Sequence, residues 1–209
     1  MKKSIGDIME IIKYIKKGNG NYQILFDNNK KINLSEDIIL KYNLLYKKEI
    51  DEYLLSDIIL ENNKYDIYNK CVKYISVRLR SIKEIREYME RKEIDNETID
   101  NIINKLLENK LLDDDIFTKA FINDKLNFTT MGPYRIELEL KKHNIDHDII
   151  YKYISMIDKD RLIEKIDKQI NKLMKSNKNK VNLKNKIYNN LLSLGYPGNL
   201  IISELNKYF

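Results

Sequence analysis

The sequence predicts a mainly α-helical protein, an elongated array of three tandem three-helix repeats preceded by a small extension that contains a β-hairpin. Three observations support this fold class: helical periodicity after residue 64, a repeat with a period of 51 residues, and a β-prone segment near the N-terminus. The expected units are residues 1–64 for the extension and 65–114, 115–160 and 161–209 for the three repeats.

The extension contains two short β-prone runs, 22–26 and 31–34, on either side of the Asp-Asn-Asn-Lys segment 27–30. Because Asp and Asn tolerate the positive φ of tight turns, we expect a hairpin here. The preceding run, 8–17, fits both the strand and the helix period, so it is either a third strand or a short helix. Ser35 precedes two acidic residues and is expected to cap a helix.

Five apolar positions recur three times at a spacing of 51 residues. They are Ile85, Ile136 and Ile187; Met89, Leu140 and Leu191; Ile94, Ile145 and Tyr196; Ile99, Ile150 and Ile201; and Ile103, Ile154 and Leu205. Their internal spacing of 4, 5, 5 and 4 residues predicts an amphipathic helix, a short turn and a second amphipathic helix. A further helical stretch precedes each pair, at 67–77, 116–128 and 162–174, which gives three helices per repeat.

Residues that favour helix starts and turns lie between these helices. The expected helix caps are Asp95, Asp146, Ser81, Gly132 with Pro133, and the acidic joint 113–115. In the third repeat Gly195, Pro197 and Gly198 supply the break between the two helices.

The positive charge is concentrated at the C-terminal end of the chain. The chain carries 38 Lys and Arg against 32 Asp and Glu, a net charge of +6, but residues 161–209 alone carry 10 cations and 3 acids. This asymmetry indicates either contact with an anionic partner, nucleic acid first, or a solvated basic face. The candidate DNA contacts are Lys175, Lys178, Lys180, Lys184 and Lys186.

Composition excludes several classes of protein. No stretch approaches the roughly 20 apolar residues of a membrane helix, and the start of the chain lacks the pattern of a secretory signal. The single cysteine, Cys71, cannot form an internal disulfide and is expected in the core. We expect a cytoplasmic monomer that makes no membrane contact.

The common catalytic motifs are absent from the sequence. It has no Gly-rich phosphate loop, no nucleophile elbow and no H-E-x-x-H segment. His143 and His147 flank Asp146 in a predicted turn, where a separation of four residues does not place two side chains on one helix face. We therefore expect exposed turn residues there, no metal site, no cofactor and no enzymatic activity.

Four of the six arginines lie within the segment VRLRSIKEIREYMER. Because lysine is the usual cation in this chain, a retained arginine indicates a bidentate partner, either a carboxylate or a phosphate. Arg78 and Arg80 either recognise a partner or tie the acidic joint 113–115 to the first repeat.

The order of these segments resembles the RecX family of recombination regulators. The segments that carry the resemblance are YISVRLRSIKEIREYM (74–89), LLENKLLDDDIFTKAFINDK (106–125) and MGPYRIELELKKHNID (131–146). The hairpin region resembles the extension of longer members. The third repeat departs most from the family pattern, but it keeps a Leu-x-x-x-Gly-Tyr framework at 191–196.

The resemblance implies a non-enzymatic partner of the bacterial recombinase RecA. Members of this family look like curved helical arrays that lie in the groove of the RecA filament on DNA and limit its extension, ATP hydrolysis and strand exchange. The candidate contacts are Arg78, Arg80, Arg86, Arg135 and Lys142. Two alternatives remain: a DNA-binding protein that acts without RecA, and a helical scaffold for an unrelated protein.

Overall fold

The computed structural model describes residues 7–176 and 182–209. These residues form one four-stranded sheet and ten α-helices, so the expectation of a mainly α-helical protein with a small β-containing extension is confirmed. The chain divides into two compact units, one that ends at Val77 and one that runs from Arg78 to Phe209. Within the described residues, no helix is both long enough and apolar enough to cross a membrane.

The first unit is organised around an antiparallel sheet. Its strands are β1 (Ile8–Lys17), β2 (Asn21–Phe26), β3 (Lys31–Ser35) and β4 (Glu49–Asp51), in the order β3-β2-β1-β4. The predicted hairpin is confirmed, with Ile24 opposite Ile32, and the run 8–17 is a strand and not a helix. Strand β4 was not predicted, because three residues are too few to show a period of two.

Helices cover one face of this sheet. Helix α1 (Glu36–Lys41) starts at Ser35, whose side chain accepts the Ile38 N–H as predicted, and a 3₁₀ turn (Leu44–Tyr46) follows. Helix α2 (Glu52–Val77) is continuous for 26 residues, and Leu55 and Ile58 in its first half belong to the core of the sheet.

The sequence places the start of this helical stretch too late. The expected helix covers 67–77, whereas α2 begins at Glu52 and passes without a break through positions 64 and 65. The first half of α2 packs against the sheet through Leu55 and Ile58. This apolar pattern is too short to predict a helix from the sequence. The domain boundary between residues 64 and 65 stays a prediction.

The second unit contains eight helices within its described residues. They are α3 (Ile82–Glu90), α4 (Asn96–Glu108), α5 (Asp114–Phe128), α6 (Pro133–Lys142), α7 (His147–Ser155), α8 (Lys159–Ser176), α9 (Leu183–Ser193) and α10 (Gly198–Leu205). Of the fifteen apolar residues that recur every 51 positions, all are buried except Ile94 and Ile154, which are partly buried. The period therefore identifies the buried faces of α3, α4, α6, α7, α9 and α10.

The predicted caps form as expected. Asp95, Asp113 and Asp146 each accept a backbone N–H of the helix that follows, at 2.8, 3.0 and 2.8 Å. Ser81 forms a full capping box with Glu84 at the start of α3.

The turns within the helix pairs also repeat in backbone conformation. Glu93, Asn144 and Gly195, each 51 residues apart, have φ of 57°, 58° and 90°. This left-handed conformation ends α3, α6 and α9 in the same way, so the repeat extends from the apolar pattern to the backbone.

A single hydrophobic core runs through α5 to α10, from Phe117 to Leu205. The helices of the second and third predicted repeats are therefore packed together and share one interior. This packing fixes the start of α6 against the turn between α9 and α10.

Candidate functional site

The segment between α2 and α3 holds two of the predicted contact arginines. The Arg78 guanidinium donates to both carboxylate oxygens of Glu84, at 2.6 and 3.1 Å, and the Ser81 N–H also donates to Glu84, at 3.2 Å. Arg80 lies 4.0 Å from the same carboxylate. The Arg80 side chain is 11% exposed, whereas that of Arg78 is 51% exposed. Of these two arginines, Arg78 is therefore the one that presents more surface to a partner.

The environment of Glu84 sets its charge state. Burial alone would raise the pKa of this carboxyl, but the hydrogen bonds from Arg78 and from the Ser81 N–H outweigh burial, and the pKa is lowered. Glu84 therefore stays ionised and holds Arg78 in a fixed position at neutral pH.

An aromatic groove of about 460 Å³ opens beside Arg78. We define it by the lining residues Arg78, Leu79, Phe121, Lys125, Phe128 and His143. The His143 ring lies 5.3 Å from the Phe121 ring and 5.1 Å from that of Phe117, between centroids. Phe128 is 82% exposed at the rim, which is unusual for so large an apolar side chain.

Two junctions connect the predicted repeats, and they involve equivalent positions. At the first junction, the start of α3 meets the turn after α6: Ser81 Oγ lies 3.4 Å from His143 Nδ1, and Lys83 Nζ donates to the Lys142 carbonyl at 2.9 Å. The Ile82 N–H donates to Asp114 at 3.0 Å. Asp114 is thus the residue of the acidic joint that binds the start of α3, and burial raises its pKa.

At the second junction, the start of α6 meets the turn after α9 in the same way. The Gly132 N–H donates to the Leu194 carbonyl at 2.7 Å, and the Tyr134 N–H donates to the Gly195 carbonyl at 3.0 Å. Gly132 and Leu194 lie 51 residues after Ser81 and His143, so both contacts are copies of one arrangement. A Cβ on Gly132 would lie 2.6 Å from the Gly195 carbonyl, which explains the glycine.

The remaining predicted contact residues lie at different places on this unit. Arg86 pairs with Asp100 of α4 at 2.6 Å, and Lys142 pairs with Glu139 at 2.7 Å. Arg135 is exposed and donates to the Ser193 carbonyl at the second junction, at 3.4 Å. The structure therefore brings Arg78 and Arg80 together around Glu84 and places Lys142 beside His143, whereas Arg86 and Arg135 bind other elements.

Three of the five predicted DNA contacts lie at the end of α8 and in the first turn of α9. Lys175, Lys184 and Lys186 are exposed, and Lys184 Nζ donates to Asn206 Oδ1 at 3.0 Å. Lys178 and Lys180 fall outside the described residues.

The two histidines differ from expectation in one respect. His147 is exposed, as predicted, but His143 is half-buried against Phe117 and Phe121, so the expectation of an exposed turn residue is wrong for His143. Its Phe-x-x-x-Phe partners, one helical turn apart, are visible in the sequence, but their contact with a turn of α6 is not. Within the described residues, no group of His, Cys, Asp and Glu could hold a metal ion.

A chain whose three-helix units repeat in sequence, in turn conformation and in junction geometry belongs to the class of helical-repeat proteins. Consecutive segments match family models for the first and second three-helix domains of RecX, at residues 68–106 and 113–152. The chain belongs to the RecX family, so the sequence resemblance is confirmed.

Curated relatives and solved structures extend this match. Regulatory protein RecX of Lactococcus lactis is 34% identical over 180 residues, which cover 82% of this chain and 65% of the relative. The Listeria monocytogenes protein of the same name is 29% identical over 88% of this chain and 69% of its own length. This chain thus spans about two thirds of the length of these relatives.

Two crystal structures share the fold. A structure of regulatory protein RecX superposes with a TM-score of 0.77 at 20% identity and covers 92% of this chain and 96% of that chain. RecX from Lactobacillus salivarius superposes with a TM-score of 0.65 at 27% identity, over 70% of this chain and 97% of that chain. The fold of this chain is therefore that of RecX structures.

Proposed function

We propose that this protein is a non-enzymatic regulator of the RecA recombinase, which binds the RecA–DNA filament and limits filament extension, ATP hydrolysis and strand exchange. One observation carries the proposal: two adjacent three-helix domains match RecX, and all the residues that line the aromatic groove belong to them. A cytoplasmic monomer is consistent with this role.

The aromatic groove supports a protein partner. Phe128 and Leu79 offer apolar surface at its rim, Arg78 presents half of its side chain there, and Lys125 lies 4.8 Å above the Phe121 ring. Exposed apolar surface beside a fixed arginine is typical of the centre of a protein interface. Arg80 contributes by holding Glu84, because little of its side chain is exposed.

The test is a RecA ATPase assay on single-stranded DNA with added protein, at stoichiometric amounts. We expect the wild-type protein to lower the ATPase rate and Phe128→Ala to lower it at least tenfold less effectively, since a buried aromatic anchor contributes about 2 kcal/mol or more to an interface.

A matched control is Tyr46→Ala, which removes a comparably exposed aromatic side chain from the first unit. It should act like the wild type. No effect of the wild-type protein on the ATPase rate would refute the proposed function, and equal losses in the two variants would refute the role of the groove.

A second candidate function is binding to DNA without RecA. The charge distribution favours it, because residues 161–209 carry 10 cations and 3 acids. The proposed contacts are Lys175, Lys178, Lys180, Lys184 and Lys186, and Lys184→Gln with Lys186→Gln should then weaken DNA binding and its dependence on salt. Unchanged binding by this double variant would exclude these two lysines as the contact.

A further inference from the structure

Helix α8 carries a row of five cations on one face. We call Arg161, Lys165, Lys168, Lys172 and Lys175 the α8 cation row; they are separated by 4, 3, 4 and 3 residues. At 3.6 residues per turn this spacing keeps all five within about 80° of arc, and at 1.5 Å per residue the row extends for about 21 Å. The buried residues Leu162, Ile166 and Ile170 lie on the other side of α8, so the row faces away from the core.

The N-terminal part of the row is held in place by neutral oxygens. The Arg161 guanidinium donates to Asn123 Oδ1 at 3.2 Å and to Asn127 Oδ1 at 2.6 Å. Lys165 Nζ donates to the carbonyls of Leu126 and Thr129, at 2.6 and 2.7 Å. These partners orient the two cations without neutralising them.

The cations of the row also act on one another. Burial lowers the pKa of Lys165, and the charges of Arg161 and Lys168 lower it further. Like charges that depress a neighbour's pKa show that positive potential accumulates along this face, and the accumulation stabilises any anion that binds there.

The C-terminal part of the row is open to solvent. Lys168, Lys172 and Lys175 are exposed, and the nearest ion pair is a long one, 3.9 Å between Lys168 and Glu164. Acidic residues of α8, at 160, 164 and 167, follow the same spacing one residue earlier and so lie about 100° around the helix from the row. They flank the row on one side and do not interrupt it.

A groove of about 410 Å³ adjoins the row at Arg161. Tyr153 and the exposed Met156 form part of its wall, and Asp158 is the carboxylate among its lining residues. Lys119 and Lys152 add cations, and Lys152 Nζ lies 4.7 Å from the centroid of the Tyr153 ring. The Asp158 carboxylate accepts the Asp160 N–H at 3.0 Å, which engages it at the start of α8. The groove therefore offers an apolar and aromatic surface where the row begins.

We propose that the α8 cation row binds the phosphate backbone of a single DNA strand, with an unpaired base placed against Tyr153 and Met156 in the adjoining groove. A regular row of cations fits a ligand whose anions recur regularly, as phosphates do, whereas carboxylates on a folded protein surface have no such period. Aromatic and apolar surface beside such a row is typical of sites for unpaired bases. The inference rests on the second candidate function, binding to DNA without RecA, and deepens it by assigning that binding to α8 instead of the lysines of α9.

The test is the binding of the full chain to a fluorescent oligothymidine, measured by fluorescence anisotropy. The salt concentration is varied from about 50 to about 300 mM, because binding to phosphates weakens as salt rises. We expect Lys168→Gln with Lys172→Gln to reduce the slope of log K against log salt by about 1.4, at about 0.7 for each lost phosphate contact with a single strand. Both side chains are exposed, so the helical circular dichroism spectrum should not change.

A matched double variant serves as the control. Lys92→Gln with Lys110→Gln removes the same charge from exposed positions of the same unit and should keep the wild-type slope. Failure of the wild-type protein to bind, an unchanged slope in the α8 variant, or an equal decrease in the Lys92 and Lys110 variant would each overturn the proposal. None of these outcomes involves RecA, so the ATPase assay tests the proposed function separately.

Discussion

The two junctions of the second unit join equivalent helix starts and turns through different chemical groups. At the first junction, side chains make the contacts: the Ser81 hydroxyl, the Lys83 ammonium and the Asp114 carboxylate. At the second, backbone groups make the shorter contacts, at 2.7 and 3.0 Å, and Arg135 adds a longer one to the Ser193 carbonyl. Gly132 and Gly195 allow the two segments of the chain to approach. Side chains can be replaced one at a time and some of them titrate, whereas a backbone contact between two glycines tolerates no added atom.

Gly132→Ala should have the largest effect on stability. Its Cβ would lie 2.6 Å from both the carbonyl carbon and the oxygen of Gly195 and 2.7 Å from the Tyr196 nitrogen, so backbone on one side or the other must move. We expect a loss of about 2–3 kcal/mol in the free energy of unfolding, measured by urea titration.

The matched control for this variant is Gly18→Ala. A Cβ on Gly18 would meet nothing within 4 Å, so a change below about 0.5 kcal/mol is expected there. Equal effects of the two substitutions would mean that the second junction does not depend on close backbone approach.

Tyr196 gives the second junction its own response to alkaline pH. Burial raises the pKa of this phenol from 10.0 to about 12, and its side chain is 1% exposed. Because the folded pKa is the higher one, the stabilisation is complete below pH 10 and is lost as the pH rises through 12, at about 1.4 kcal/mol per pH unit or about 2.7 kcal/mol in all.

Tyr196→Phe removes this titration. The variant should therefore lose less stability than the wild type between pH 10 and 12, in urea titrations at several pH values. Parallel curves for the two proteins would show that Tyr196 titrates alike in the folded and unfolded states.

Ser81→Ala tests the first junction by removing its hydroxyl. The variant loses the hydrogen bond from the Glu84 N–H to the Ser81 hydroxyl, which is one half of the capping box of α3. It also loses the contact with His143 Nδ1. We expect a cost of about 1–2 kcal/mol in unfolding free energy. Ser35→Ala removes a cap that has no such contact across repeats, and a larger loss there would argue against a role for Ser81 beyond capping.

The sequence predicts local features of this fold better than it predicts contacts between them. The period of 51 residues identifies the buried faces and the caps, because each is encoded within one helix or one turn. The partner of Gly132 is encoded 63 residues away, so the sequence shows a helix-starting Gly-Pro pair but not the clash that requires the glycine.

The candidate site was predicted less completely for the same reason. The cluster of arginines marks the start of α3, yet the exposure that separates Arg78 from Arg80 depends on how both side chains fold around Glu84. The aromatic groove needs α5 and the turn after α6 together, and neither segment alone indicates it. The 4-3-4-3 spacing of the α8 cation row, in contrast, is present in the sequence. The charge pattern alone favours the dense lysines at 175–186 as the DNA contacts.

Acid gives the smallest difference between the two junctions, through Glu84. Its pKa is lowered in the folded protein from 4.5, so the stabilisation it contributes is present above pH 4.5 and is lost as the pH falls through the folded pKa. Glu84→Gln cannot ionise and should be less stable than the wild type at neutral pH by about 1 kcal/mol, the value of a charge-assisted hydrogen bond after solvent screening. That difference should shrink below pH 4.5 in urea titrations. A difference that stays constant from pH 7 to pH 3 would mean that the Arg78–Glu84 pair does not stabilise the start of α3, and the aromatic groove would then lack the fixed arginine on which its proposed role depends.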